Sequence, residues 1–459
     1  MGRLFGKDGI RGLAISELTC ETAMLIGRAT AYVIASGSDK KSKIIVGKDT
    51  RSNSDILESA VCAGICSAGV DAEIVGTVPV PACAWLTSSR NASGGIMISA
   101  SKRIAEYNGI KIFSSEGLRI DDETENEIEK FVLDKPWAMH PEPKKEYGRI
   151  LRYENAVDDY AEHIKSLSET RLSGLKIAID CANGSASYTA NKIFSGLGAE
   201  TLIMANRPDG YNINRECGTS YADELMNFVT ENGCMCGLAF DGGGERCLAV
   251  DEHGDLLDGD ELIAVLAKAM KENGTLKNNT FVVTSANNLG LNHFALDNFI
   301  STVACSSGDK NITNTLLENN FSLGGDPSGQ IILAEGSPVP DGQFVGMRLL
   351  EIIKKTDKRL SSLTGLLQKV PQVMMNVPID RRFSEIWKND SEITSLIEEF
   401  EKTLGEEGRI IVREVGKEPV IRIMAEGKEF TQINAMALAV ADKIKSRCTV
   451  ADTDEEDIQ

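Results

Sequence analysis

Five polar, glycine-containing loops carry most of the side chains with which this chain could do chemistry. They are GKDGIRG at Gly6–Gly12, SASKRIAEYNGIK at Ser99–Lys111, DGGGER at Asp241–Arg246, GGDPSGQ at Gly324–Gln330 and REVGKEPVIR at Arg413–Arg422. A hydroxyl set among cations can act as a nucleophile, carboxylates on a glycine-rich turn can hold a metal, and arginines grip anions. Taken singly, each loop has an ordinary reading: Ser101-Lys102-Arg103 is most often a surface turn, and DGGGER a tight turn. Position adds weight, because in α/β sheets ligands bind beyond the carboxyl ends of strands. Each loop belongs to, or opens, a different unit of the chain, so together they are expected to line a cleft between domains.

The elements that must position these loops follow from hydrophobic periodicity. KIIVG (Lys43–Gly47), a helical run over Asp55–Ala68 stopped by Gly69, and AEIVG (Ala72–Gly76) form a βαβ rhythm. The pattern restarts after the polar stretch at Pro141–Lys145 with LKIAID, a helix ending near Gly198, ETLIMA, a helix from Tyr221 and CGLAF. A third unit runs from the amphipathic helix over Asp260–Asn273 through FVVTS and a helix opened near Gly290 to the helix over Gly342–Lys355. After Pro371 the character changes: VMMNV, a helix over Ser391–Leu404, RIIVR, VIRIMAE and a helix over Gln432–Ser446 read as α+β with an antiparallel sheet. The predicted domains are 1–155, 156–255, 256–370 and 371–448, with a disordered acidic tail at 449–459. No short repeat is visible, but the three α/β units are compatible with one shared plan.

The 459 residues include 68 Asp and Glu against 49 Lys and Arg, a formal charge of −19. That balance disfavours a nucleic-acid binder. No apolar run is long enough for a membrane span or a signal peptide. The eleven cysteines contain no CxxC pair and are expected to be reduced, mostly buried thiols of a cytoplasmic protein.

The loops and the segments between them, in their order, resemble the α-D-phosphohexomutase superfamily. The likeness covers nearly everything from Gly2 to Lys445 and includes FGKDGIRG, VGKDTR, ISAS then NGIKIF, DCANG, PDGYNIN followed by CG, FDGGGERCLAVDE, NLGL, Ser328-Gly329 and EPVIR. It implies three related α/β domains plus a C-terminal α+β domain around a central cleft. It also implies a phosphoryl relay: a phosphoserine, here Ser101, gives its phosphoryl group to a hexose phosphate, the bisphosphate turns over, and the other phosphate returns to the serine. Such transfer needs charge neutralisation around the phosphoryl oxygens. By motif position Arg11 and Lys111 flank the serine. Arg246, Asp326, Ser328, Arg413, Gly416, Lys417 and Arg422 match substrate-binding positions, and Ser101, Asp241 and Glu245 match the Mg²⁺ site. The substrate implied is a phosphosugar, the pair glucosamine 6-phosphate and glucosamine 1-phosphate. A sugar 1,6-bisphosphate is the implied activator, and a homodimer through the first domain the implied assembly.

The departures sit in the working loops. His-Asn-Pro after the serine has become Lys102-Arg103-Ile104, and DGDGDR has lost its second aspartate to Gly243 and lengthened the third to Glu245. GEQSGH has become GDPSGQ, RPSGTEP has become REVGKEP, the opening threonine is Lys7 and a usual histidine is Tyr221. The metal site is therefore expected to be weakened. Lys102, as a catalytic-site cation together with Arg103, is expected to fill part of the charge vacancy. Glu414 is expected to offset Arg413, and Asp49 and Arg51 to form a scaffold pair. Two functions follow: a phosphohexomutase with reduced or altered turnover, or a non-catalytic relative that binds a phosphosugar or a regulatory protein partner.

Overall fold

The computed structural model describes residues 2–35, 42–134, 147–380, 386–414 and 420–448. The polar stretch Pro141–Lys145, the loop positions Gly416 and Lys417 and the acidic tail lie outside the described residues. Two compact units form: one from the residues up to Asn287 together with Ala295–Leu366, the other from Asn288–Phe294 together with the residues from Leu367 onward.

The first unit is built on three mixed sheets. In a six-stranded sheet, Lys43–Lys48 pairs parallel with both Asp71–Thr77 and Gly94–Ile98, and Gly94–Ile98 pairs antiparallel with Tyr107–Ser114. Ile44, Ile45 and Val46 are all buried, as expected of a strand covered on both faces. Helices Cys20–Ala35 and Ser54–Ser67 cross at glycines, since a Cβ on Gly64 would stand 2.0 Å from the Met24 carbonyl oxygen. The five-stranded sheet pairs Lys176–Asp180 parallel with Glu200–Met204 and Cys236–Phe240, and Cys236–Phe240 antiparallel with Cys247–Val250. The four-stranded sheet pairs Thr280–Thr284 parallel with Ser301–Cys305 and Leu323–Gly325, and Leu323–Gly325 antiparallel with Ile331–Leu333.

The shared plan is visible in these pairings. In each sheet parallel strands run into an antiparallel pair, and that pair is closed by a polar loop: Ser99–Glu106, Asp241–Arg246 or Asp326–Gln330. The equivalence is one of topology rather than sequence, which is why no repeat could be read from the chain.

One element differs from expectation. The helix ending near Gly198 is only the short Ala190–Phe194, preceded by a 3₁₀ turn at Ser185–Tyr188. DCANG packs too closely on the DGGGER loop for a regular helix to start there: a Cβ on Gly184 would lie 2.5 Å from Gly242, and the Ser185 N–H donates to the Gly242 carbonyl at 3.0 Å.

Asp341 shows how burial sets a pH dependence of stability. It caps helix Gly342–Thr356 by accepting from the N–H groups of Gln343 and Phe344, and it accepts the Tyr160 hydroxyl at 2.9 Å. Burial nevertheless pushes its carboxyl up to about 6. An unfolded aspartate titrates near about 3.9, so between those values the folded chain holds a proton that the unfolded chain has lost. This contribution is fully present below about pH 4 and is lost as pH rises through 6. Asp341→Asn keeps the cap and should shrink the fall in Tm between those pH values. An unchanged slope would contradict the assignment.

The second unit has a three-stranded antiparallel sheet in the order Gln372–Pro378, Val420–Glu426, Arg409–Glu414, as the sequence predicted. Helix Ser391–Leu404 begins at Asp390, whose carboxylate accepts from the N–H groups of Glu392 and Ile393. Helix Phe430–Cys448 buries Ile433, Ala437, Val440 and Ile444 in the same core as Val377, Ile421 and Ile423. All eleven cysteines are free thiols. Among the described residues no helix is long and apolar enough to cross a membrane.

Candidate active site

The serine loop closes its antiparallel pair in a strained form. Ser101 has a φ of 54° and is fully buried. A non-glycine residue in the left-handed region is disfavoured and persists only where its surroundings over-determine it. They do so here: the Ser101 N–H donates to the Ser99 Oγ at 3.1 Å, and its carbonyl accepts from Arg51 Nη2 at 3.3 Å and from Asn214 Nδ2 at 2.9 Å. Arg51 and Asn214 also hold the Arg103 carbonyl. Asn214 Oδ1 in turn accepts the Gly242 N–H at 2.9 Å, tying the serine loop to the Asp241 loop. Neither Arg51 nor Asn214 was read from the sequence as part of the site, although GKDTR and PDGYNIN contain them.

Removing that tie gives a direct test. Asn214→Ala should leave the protein folded, with a loss of about 1–3 kcal/mol from the buried groups left unpaired, and should lower the yield of any Ser101 modification more than it lowers Tm. Equal modification of variant and wild type would contradict the positioning role.

The Ser101 hydroxyl donates to Asp241 Oδ2 and accepts from Arg246 Nη1. Asp241 is itself braced, its Oδ1 accepting the N–H groups of Glu245 and Arg246 at 2.9 and 3.0 Å. Burial pushes the Asp241 carboxyl up, but the Arg246 charge, the Ser101 hydroxyl and Lys111 outweigh it and hold it below its ordinary value. Arg246 reaches onward: its Nε donates to Ser328 Oγ at 3.1 Å, and Ser328 Oγ donates to Asp326 Oδ1 at 2.6 Å. Residues from three separate loops thus form one chain of contacts, Ser101, Arg246, Ser328 and Asp326.

Asp326 was expected to bind substrate. Its Oδ1 braces its own loop, accepting also from the N–H groups of Ser328 and Gln330 at 2.9 and 3.3 Å. Gln330 is buried with its Nε2 lacking a hydrogen-bond partner.

The cations converge from the first loop and from Tyr107–Ser114. Lys111 is buried and paired with Glu245, with Asp309 at 3.9 Å. Arg11 lies 3.2 Å from Asp8, while its Nε and Nη2 are buried without partners. Burial lowers the Arg11 pKa. Asp8 is held down at about 2, its burial outweighed by Arg11, Lys111, Arg246 and Arg119.

Lys102, expected with Arg103 to fill part of the charge vacancy, does so through no direct ion pair to the metal-type loop among the described residues, although Asp326 and Asp241 act on its charge. Lys102 is exposed and makes no ion pair among the described residues. Desolvation of its ammonium, then repulsion by Arg246, lower its pKa against the pull of Asp326, Asp241 and Asp8. The Arg103 guanidinium lies over the Tyr107 ring at 5.5 Å. Arg246 pairs with Asp241, and Lys111 with Glu245.

A Mg²⁺ site on Ser101, Asp241 and Glu245 fits this arrangement poorly. Mg²⁺ requires near-octahedral oxygen coordination. Both oxygens of Asp241 are committed, and Glu245 Oε1 is paired with Lys111, leaving Glu245 Oε2 as a buried oxygen without a partner. Gly243 supplies no donor, and a Cβ there would come 3.1 Å from Val80 Cγ2 and 3.2 Å from Glu245 Oε2. Among the described residues no group of three His, Cys, Asp or Glu is disposed to hold a metal. The carboxylates expected to hold the weak metal are here paired with cations, Asp241 with Arg246 and Glu245 with Lys111.

In the second unit, Arg413 and Arg422 stand directly opposite each other on adjacent strands. Like charges so placed repel, which favours an anion between them. Burial, then Arg422, lower the Arg413 pKa, and Arg422 Nε donates to Asn376 Oδ1 at 2.9 Å. Glu414 does not offset Arg413 as expected: its carboxylate lies 3.0 Å from Lys388 Nζ.

Comparison with known proteins places this site in a family. Four segments match the phosphoglucomutase/phosphomannomutase family: its alpha/beta/alpha domain I at residues 2–138, domain II at 158–254, domain III at 258–370 and C-terminal domain at 374–443. The chain belongs to that family, the α-D-phosphohexomutases. Within it the chain is most like phosphoglucosamine mutases, being 42% identical over 448 residues to that of Clostridium novyi (strain NT), across 97% of this chain and 99% of the relative. A phosphoglucomutase/phosphomannomutase family protein from Burkholderia thailandensis shares the fold with a TM-score of 0.81 at 21% identity, over 97% of each chain. Aspergillus fumigatus N-acetylphosphoglucosamine mutase, solved with GlcNAc-6P and magnesium, shares it with a TM-score of 0.69 at 14% identity, over 97% of this chain and 96% of that one.

Proposed function

We propose that this chain is a phosphoserine-dependent phosphohexomutase that interconverts glucosamine 6-phosphate and glucosamine 1-phosphate. The observation that carries the reading is the Ser101 hydroxyl, presented on a strained loop between a carboxylate and a guanidinium. In this reading the phosphoryl group leaves Ser101 Oγ for a sugar hydroxyl, and the second phosphate of the resulting bisphosphate later returns to the same oxygen. The unpartnered Nε and Nη2 of Arg11 supply donors for phosphoryl oxygens, as charge-assisted contacts of this kind require. Ser328 serves the sugar, and Arg413 with Arg422 the phosphate that is not reacting. A sugar 1,6-bisphosphate loads the serine, and the cytoplasm is the expected site of action.

A second reading, a phosphosugar-binding protein without turnover, is favoured by one observation. Gln330, buried where the family carries a proton-bearing histidine, cannot exchange a proton.

Steady-state conversion of glucosamine 6-phosphate, primed with glucose 1,6-bisphosphate, separates the two. The mutase reading expects turnover that Ser101→Ala reduces to background. Binding of glucosamine 6-phosphate with no turnover in either protein would contradict it and support the second reading.

A further inference from the structure

We infer that the serine site is built to neutralise its phosphate with the Arg246 guanidinium, backed by Lys111, in place of a divalent cation. The inference deepens the mutase reading and rests on it for the phosphorylated state of Ser101.

Arg246 already joins the serine oxygen to the loop carboxylate. Its Nη1 donates to Ser101 Oγ and lies 3.1 Å from Asp241 Oδ2, so one cation links the reacting oxygen to the loop carboxylate. Its Nε is fixed on Ser328, and Nη2 makes no hydrogen bond among the described residues. A guanidinium is planar, always charged and able to hold two phosphate oxygens at once. A phosphate on Ser101 Oγ would thus meet a guanidinium whose Nη1 already donates to that oxygen.

The carboxylates tell the same story from the other side. A divalent ion binding at this loop would have to displace Arg246 from Asp241 and Lys111 from Glu245. Both are buried pairs, with side chains no more than 5% exposed. Breaking such pairs leaves uncompensated buried charge, which is strongly unfavourable. The ion would also stand beside Arg246 and Lys111, the cations that hold Asp241 below its ordinary value. Two changes therefore act with a retained arginine: Gly243 removes a ligand, Glu245 engages Lys111, and Arg246 links Ser101 to Asp241.

The test is calorimetric titration of Mg²⁺ into the full-length protein, before and after incubation with glucose 1,6-bisphosphate, alongside Gly243→Asp/Glu245→Asp. The phosphate adduct on Ser101 is quantified by mass in EDTA and in Mg²⁺. The wild type should show no saturable Mg²⁺ binding and no loss of adduct in EDTA, whereas the double variant, whose residue 243 lies outside the left-handed region, should gain binding. Saturable binding to the wild type that Asp241→Asn abolishes would overturn the inference whether or not the chain turns over. So would an adduct that forms only with Mg²⁺. No adduct under any condition overturns the mutase reading and with it the phosphate role of Arg246, whereas an adduct formed in EDTA together with saturable Mg²⁺ binding overturns the inference alone.

Discussion

Replacing Arg51 with methionine should lower the unfolding free energy by about 3–5 kcal/mol, the range expected when one partner of a buried ion pair is removed. Arg51 and Asp49 are paired with side chains at 0% exposure, and Asp49 also accepts the Arg51 N–H at 3.1 Å and the Ser54 hydroxyl at 3.2 Å. Methionine fills part of the volume but leaves the Asp49 carboxylate uncompensated. The loss should appear as a lower denaturation midpoint, and Asp49→Asn in the same chain should restore part of it. Affinity for glucosamine 6-phosphate should move less, because Arg51 touches the serine loop through backbone carbonyls. A variant of wild-type stability with weakened binding would instead make Arg51 a ligand contact.

The second large effect is at Arg246. Arg246→Ala should lower turnover by about 10²–10³-fold, the usual consequence of deleting a preorganised donor at a site of charge development. Arg246→Lys should recover little. A lysine ammonium is a point charge and cannot reach Ser101, Asp241 and Ser328 at once, as the guanidinium does. Measuring kcat for both variants checks this. A lysine variant near wild-type rate would show that positive charge alone suffices.

The parts of this site that were legible in the sequence are those whose signal is local. Ser101, Asp241 and Ser328 each follow a hydrophobic strand run and sit in a polar turn, so strand ends located the loops. The antiparallel sheet of the second unit was legible because VMMNV, RIIVR and VIRIMAE are strand-like and separated by turns. The clamp on the serine loop was not legible. Arg51 and Asn214 lie 50 and 113 residues from the carbonyl they hold, and nothing in the spacing of GKDTR or PDGYNIN encodes that distance. The strained φ of Ser101 leaves no mark either, because serine is compatible with many turn types. Lys102 shows the opposite limit: adjacency to the serine is visible in sequence, but which lysine pairs directly with the metal-type loop is not. Lys111, further along, is the lysine that turns inward to Glu245.

The central claim is that Ser101 carries a phosphoryl group, and intact-mass spectrometry tests it most directly. The purified protein and Ser101→Ala are weighed before and after incubation with glucose 1,6-bisphosphate, then after addition of glucosamine 6-phosphate. A single phosphate adduct that requires Ser101 and is chased by glucosamine 6-phosphate is the predicted result. No adduct on the wild type, or one that persists in Ser101→Ala, would contradict the account.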